Sequence, residues 1–239
     1  MKLASFDIEL ATPLPEGSRD LDALEISCAA VAFGDRENIE VFEGDPALSR
    51  SQSQELLDLL GTIASEGYGI ATWNGCAFDF PVLAHSAGQL PRSARLALSH
   101  HDLMLYVTFQ KGWYLGLQKA LAGAGLAGKL KEIRLSGGTL VTNMDGSKAP
   151  QLWADGEREA VIAYLEQDVR QQLSLATWIA EHEKICWTSS SGNPWNLQIP
   201  KLYTVEECFD FLQPDVSWMD NPPEREQFVE WMPQPLQPG

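Results

Sequence analysis

KLASFDIEL, residues 2–10, is a short apolar run broken by two acids. Leu3, Phe6, Ile8 and Leu10 give it the character of a buried strand, with Asp7 and Glu9 two positions apart inside it. Alternate side chains on a strand share a face, so the two carboxylates project together while Ile8 points to the core. Holding two acids in apolar surroundings costs free energy unless something pairs with them, and a bound cation would. The same Asp-x-Glu spacing recurs at Asp35/Glu37 and Asp155/Glu157. Those copies lie beside glycines in apparent turns, where solvated acids are unremarkable.

The rest of the chain frames that strand. Thr12–Asp22, with Pro13, Pro15 and Gly17, reads as a loop, Glu25–Phe33 as a second buried strand and Ile39–Phe42 as a shorter third. Leu56, Leu57, Leu60 and Ile63 recur at helical spacing within Ser49–Glu66, which Gly67 closes. Tyr68–Trp73 follows as a strand and Phe78–Ala87 as a helix. Further helices are predicted from Asp102 through Phe109 and over Tyr114–Leu121, and the longest over Glu157–Glu183. Ser136–Asp155 is polar and Gly-rich, and reads as a long loop with a short hairpin. Strands come early and helices follow, which predicts an α/β fold with a mixed β-sheet flanked by helices: antiparallel first strands, then one added through a helical crossover.

Two more segments carry candidate chemistry. In WNGCAFDF (73–80) an Asn-Gly turn leads from a strand into a helix, with Asp79 in the first turn, where the helix dipole favours an anion. Taken alone, this is also what an ordinary turn with an acidic helix start looks like. In YLEQDV (164–169) Tyr164 and Asp168 stand at i and i+4, on one face of the long helix. A phenol near metal-bound water can orient it or accept its proton. Tyr203 and Glu207 share that spacing, but Tyr203 precedes Thr204, which opens its helix with a capping box.

In order and context, FDIEL (6–10), WNGCAFDF (73–80) and YLEQDV (164–169) resemble the DEDD superfamily of 3′→5′ exonucleases, whose fold is ribonuclease H-like. A Tyr four residues before the last Asp is similar to the tyrosine subtype (DEDDy), as in proofreading domains of family B DNA polymerases. The resemblance covers roughly residues 1–185. It implies two divalent cations, Mg²⁺ or Mn²⁺, held by Asp7, Glu9, Asp79 and Asp168. Asp7 would bridge both, Glu9 and Asp168 would complete the first site, and Asp79 would serve the second, partly through water. Tyr164 would position the attacking water. Leu10, Asn74 and Phe78 match positions that line the terminal-nucleotide pocket. The implied reaction is hydrolysis of single-stranded DNA or RNA from the 3′ end to nucleoside 5′-monophosphates.

Bulk properties limit the alternatives. The chain has 239 residues, 44% of them hydrophobic, and a net charge of −16. So acidic a chain is a poor general binder of nucleic acid, because phosphate contacts need Lys and Arg. Lys111–Arg134 is the exception: Lys111, Lys119, Lys129, Lys131 and Arg134 against Glu132, beside Trp113 and Tyr114. That stretch suits a single strand by charge and stacking, or is simply a basic helix surface. Cys28, Cys76, Cys186 and Cys208 form no C-x-x-C pair, and the first two read as core residues. No apolar run has membrane-spanning length, and Asp7 and Glu9 sit where a signal peptide needs apolar residues, so the expectation is a cytoplasmic protein without a membrane partner. The division expected is an exonuclease domain over 1–187 and an acidic, Pro-rich appendage over 188–239, with Thr188–Asn196 as linker and the Pro-rich tail frayed. The appendage is read as a packed element, a contact for a protein partner, or a guard that limits access. His101-Asp102 invites a comparison with all-helical His-Asp phosphohydrolases, but a helix cap at Asp102 is the better reading. The remaining alternative is a weakly active or inactive ribonuclease H-like module that binds nucleic acid or protein.

Overall fold

The structure, a computed structural model, describes residues 1–14, 20–128, 130 and 132–238. β1 (Lys2–Leu10) is the middle strand of a five-stranded sheet. With β2 (Ile26–Phe33), β3 (Ile39–Glu43), β4 (Tyr68–Thr72) and β5 (His101–Asp102), the strand order is β3-β2-β1-β4-β5. β1–β2 and β2–β3 pair antiparallel, while β1–β4 and β4–β5 pair parallel. The crossover from β3 to β4 is α1 (Arg50–Ser65), opened by a Ser49–Gln52 capping box. This is the mixed sheet predicted from the order of the elements.

Every residue of β2 is buried. Ile26, Ala29, Val31 and Phe33 join the large core on one face, and Cys28, Ala30 and Ala32 join a second core on the other. Coverage on both faces explains why the segment reads as a continuous apolar run rather than an alternating one. α2 (Asp79–Ala87) and α3 (Leu90–Ser99) contribute to the first core. The second is closed by α7 (Arg158–His182), which packs on β1 and β2. Ser5 Oγ ties α7 to β1 by donating to the Val169 carbonyl at 2.6 Å.

Several expectations need correction. Tyr114–Leu121 is helical only from Leu117, where α5 (Leu117–Gly123) starts after Gly116; Tyr114 lies outside it, half exposed. A short hairpin is present, but its first strand, β6 (Glu132–Arg134), precedes the polar stretch 136–155 and only its partner β7 (Leu140–Thr142) lies within it; the stretch also holds α6 (Ala149–Ala154). Trp153 anchors α6 in the second core and donates to the Pro46 carbonyl at 2.6 Å, a burial that the surrounding polar composition hides. Thr188–Asn196 is no linker: β8 (Lys184–Thr188) and β9 (Pro194–Gln198) form a hairpin across it. The tail is not frayed either. Phe228, Val229 and Met232 are in the large core, and Gln237 donates to the Met232 carbonyl at 2.8 Å. Lys129 and Lys131 of the basic stretch, and Pro15 and Gly17 of the first loop, lie outside the described residues. No described helix is long and apolar enough to cross a membrane.

Behind the sheet's β5 edge, His100 is buried between Thr72 Oγ1 (2.9 Å) and the Ala97 carbonyl, its ring 4.6 Å from that of Phe80. Burial pushes its pKa down to about 3 from the ordinary 6.5. The folded protein therefore takes up the proton later than the unfolded chain, and stability falls as pH drops below 6.5 towards 3. At pH 5 this amounts to roughly 2 kcal/mol. In urea unfolding, wild type should lose about that much more between pH 7 and pH 5 than His100→Gln; equal losses would show that His100 does not titrate on unfolding.

Candidate active site

β1 and β4 run side by side only from the Lys2–Tyr68 pair to the Ser5–Ala71 pair. Beyond Ser5 the pairing ends, at the carboxyl ends of parallel strands, where α/β folds commonly place their sites. Asp7 and Glu9 stand on β1 just past that fork, and Ile8, between them, is buried. The Ile8 N–H therefore has no β4 carbonyl to pair with. It donates to Asp79 Oδ1 at 3.2 Å and to Asp7 Oδ1 at 3.0 Å.

Asp79 arrives there because the Trp73–Phe78 segment turns sharply. Asn74 adopts a left-handed conformation (φ 73°), and a Cβ on Gly75 would stand 2.4 Å from Thr72 Oγ1, so the Asn-Gly pair is a steric requirement. Asp102 holds this turn. Its Oδ1 accepts from Asn74 N, Met104 N and Leu105 N, and its Oδ2 from Cys76 N, all at 3.0–3.1 Å. One side chain thus caps α4 (Leu103–Lys111) and fixes the loop that leads into Asp79. The cap reading of Asp102 holds, and the histidines beside it serve structure: His101 Nδ1 meets the Tyr203 carbonyl at 3.0 Å.

Asp79 is buried and hydrogen-bonded to Asp7. Burial first, then the neighbouring Asp7 charge, pushes its carboxyl well above the usual range. Two acids this close cannot both be ionised cheaply, and a cation between them would remove that cost. From α7, Gln172 donates through Nε2 to Asp7 Oδ2 at 2.9 Å, one turn after the buried Asp168. Gln172 Oε1, also buried, has no hydrogen-bond partner among the described residues. Its place on the Tyr164–Asp168 face was visible as a third member of the i, i+4 series, yet an isolated Gln gave no chemical reason to select it.

Glu9 is buried beside Cys28, its partner on β2, and its charge helps to raise that thiol above the ordinary range after burial itself. A Cβ on Gly146 would come within 3.7 Å of Glu9 Oε2, so the segment before α6 covers this acid. Tyr164 is fully buried in the second core with Met144, Trp153 and Ala30. The two turn-borne Asp-x-Glu copies behave as solvated acids: Asp35 accepts from the Tyr68 hydroxyl, and Glu157 from Ser136.

Asp7 and Asp79 are therefore in contact, with Glu9 two positions from Asp7 and Asp168 on the helix that Gln172 ties to Asp7. Among the described residues no three acid, imidazole or thiol groups stand close enough to hold an ion as placed. In donor chemistry the set fits hard divalent cations: carboxylates, among them the buried Asp79 beside the partly buried Asp7, and a buried amide oxygen without a hydrogen-bond partner among the described residues. Next to the turn lies a cleft of about 560 Å³, bounded by Asn74, Ala77, Met104, Tyr114, Phe228 and Trp231. Asn74 thus lines a pocket, whereas Leu10 and Phe78 pack on the core. The C-terminal segment forms one wall and bonds directly to the turn. Trp231 Nε1 donates to the Cys76 carbonyl at 2.8 Å, and Cys76 Sγ donates to the Phe228 carbonyl at 3.3 Å.

Comparison with known proteins agrees on the fold. No curated protein matches the sequence. Among solved structures, the family B DNA polymerase from the hyperthermophilic archaeon Pyrobaculum calidifontis aligns at 22% identity over 74% of this chain and 24% of its own, with a TM-score of 0.55. This chain thus spans about a quarter of that polymerase. E. coli exonuclease I, in complex with a 5cy-dT13 oligonucleotide, aligns at 13% identity over 76% of this chain and 40% of its own, with a TM-score of 0.37. The sequence profile of the RNase H superfamily matches residues 5–180, from the middle of β1 to the last turns of α7, and on that match the chain belongs to the RNase H superfamily.

Proposed function

We propose that the chain is a DEDDy-type 3′→5′ exonuclease that hydrolyses single-stranded nucleic acid to nucleoside 5′-monophosphates. The observation that carries this reading is the Asp7–Asp79 pair, two acids from distant segments that meet on the Ile8 N–H at the fork between β1 and β4. Asp7, Glu9, Asp79 and Asp168 would hold two Mg²⁺ or Mn²⁺ ions, which supply an activated water and stabilise the leaving oxygen. The chain's own groups do the positioning. Gln172 orients Asp7, the Ile8 N–H fixes Asp79, and Asp102 sets the turn that carries Asn74 to the cleft. Tyr164 lies four residues before Asp168 on α7, as the tyrosine subtype requires. Its hydroxyl would reach water only when the Met144–Trp153 cover shifts, so substrate binding would be accompanied by movement of that segment.

The test is a single strand labelled at its 5′ end. With millimolar Mg²⁺, products should shorten stepwise from the 3′ end with release of 5′-monophosphates, and EDTA should stop them. Internal cuts, or products released as 3′-monophosphates, would exclude the proposal. Absence of any shortening with either metal would favour the binding module instead.

A further inference from the structure

A second cleft, of about 470 Å³, opens between the α4–α5 connection and the β8–β9 hairpin. Lys111, Lys119, Tyr114, Trp195, Ser190 and Asn193 are among its lining. No aspartate or glutamate is present among its described lining residues, in a chain with 33 acids and 17 basic residues. Neither lysine pairs with a carboxylate among the described residues, so both ammonium groups are available. Trp195 is 54% exposed, although a tryptophan in solution normally buries most of its surface.

The cleft is held rigidly. Trp113 and Trp187 meet edge to face at 5.5 Å behind it, and Trp195 pairs with Trp187 across the hairpin. A Cβ on Gly123 would stand 2.0 Å from the Cys186 carbonyl, which shows how closely α5 abuts β8. The turn is laced by its own side chains: Asn193 N donates to Ser189 Oγ at 3.1 Å, and Asn193 Nδ2 donates to Ser191 Oγ at 3.2 Å. Tyr114 lines this cleft and the cleft beside Asn74, so the two adjoin through one aromatic side chain. The first also holds Asp20, Asp22 and Glu230, which disfavour a phosphate run, while the second has the opposite sign.

We infer that the second cleft binds the upstream nucleotides of a single-stranded nucleic acid whose 3′ end occupies the first, with a base stacked on Trp195 and the phosphates against Lys111 and Lys119. The inference rests on the exonuclease reading for its polarity. Its volume is in the range of a nucleotide-sized ligand, and an exposed indole beside paired lysines is the recurring composition of single-strand platforms. The whole hairpin, Trp195 included, lies beyond residue 180 and outside the family match, whereas Lys111 and Lys119 lie within it.

The experiment is fluorescence anisotropy of a 5′-labelled decathymidylate in EDTA at about 50 mM salt, where charge contacts count most. Trp195→Ala and Lys119→Glu should each weaken binding about tenfold. The exposed control Arg95→Glu, which changes net charge as much as Lys119→Glu, should weaken it less than about twofold. Equal affinity of Trp195→Ala and Lys119→Glu with wild type would overturn the inference, as would an equal loss in Arg95→Glu or no binding by wild type. A protein that binds through these residues but does not shorten the oligonucleotide with Mg²⁺ would support the cleft and refute the exonuclease reading.

Discussion

Asp102→Ala should lower the melting temperature by about 10 °C or more. Its two oxygens satisfy four backbone N–H groups, from Asn74, Cys76, Met104 and Leu105, in a site closed to water. Alanine leaves all four donors without acceptors and opens a small void. Buried orphan donors cost about 1–3 kcal/mol each, and partial relaxation towards water reduces the sum to about 3–5 kcal/mol. In a chain of this size each kcal/mol is worth about 2–4 °C. Asp102→Asn separates the hydrogen bonds from the charge. Its amide oxygen can still accept from Asn74, Met104 and Leu105, while its NH₂ opposes the Cys76 N–H. The neutral amide also escapes the cost of burying a charge, which raises the carboxyl's pKa. A loss of less than half that of alanine is expected. If alanine melts within about 2 °C of wild type by calorimetry, the turn is held by something else.

Asp7→Asn should abolish turnover and, in EDTA, raise the melting temperature. An amide at this position can donate to Asp79 and still accept from Gln172 Nε2, so it removes the neighbouring charge that helps to raise the Asp79 carboxyl. A gain of about 1 kcal/mol, or roughly 3 °C, follows for the cation-free protein. Mg²⁺ should then raise the melting temperature of wild type but not of the variant, since only wild type has a ligand pair worth occupying. Activity should fall by about three orders of magnitude or more, because members of a catalytic unit fail together. Lower stability of the variant in EDTA would show that Asp7 and Asp79 do not repel. Retained turnover would remove Asp7 from the mechanism.

The sheet was legible because β1, β2 and β4 are each short apolar runs with a clear place in the chain order. Asp79 was legible as well, since an Asn-Gly pair between a strand and a helix leaves few conformations. The four-way grip of Asp102 was only half readable. Its capping of Met104 and Leu105 is local, whereas its bonds to Asn74 and Cys76 depend on β5 lying next to β4. Trp153 and Trp231 were invisible for the same reason. Each is an apolar residue in polar, proline-containing surroundings, and the partners that bury it lie more than a hundred residues away. Tyr164 was selected for its phenol, but periodicity alone does not distinguish a hydroxyl facing a crevice from one under α6.

The bonds from Phe228 and Trp231 to Cys76 also have a consequence in time. A chain emerging from the ribosome can pair β1 with β2 and β4, and pack α7, long before residues 225–231 exist as peptide. The turn at Asn74 must then wait, with the Cys76 carbonyl and thiol unclaimed, until residues 228–231 have been made. A turn specified early is thus completed by residues made about 150 positions later, and a nascent chain halted near residue 200 would carry Asp7, Glu9, Asp79 and Asp168 yet lack a wall of the cleft next to the turn.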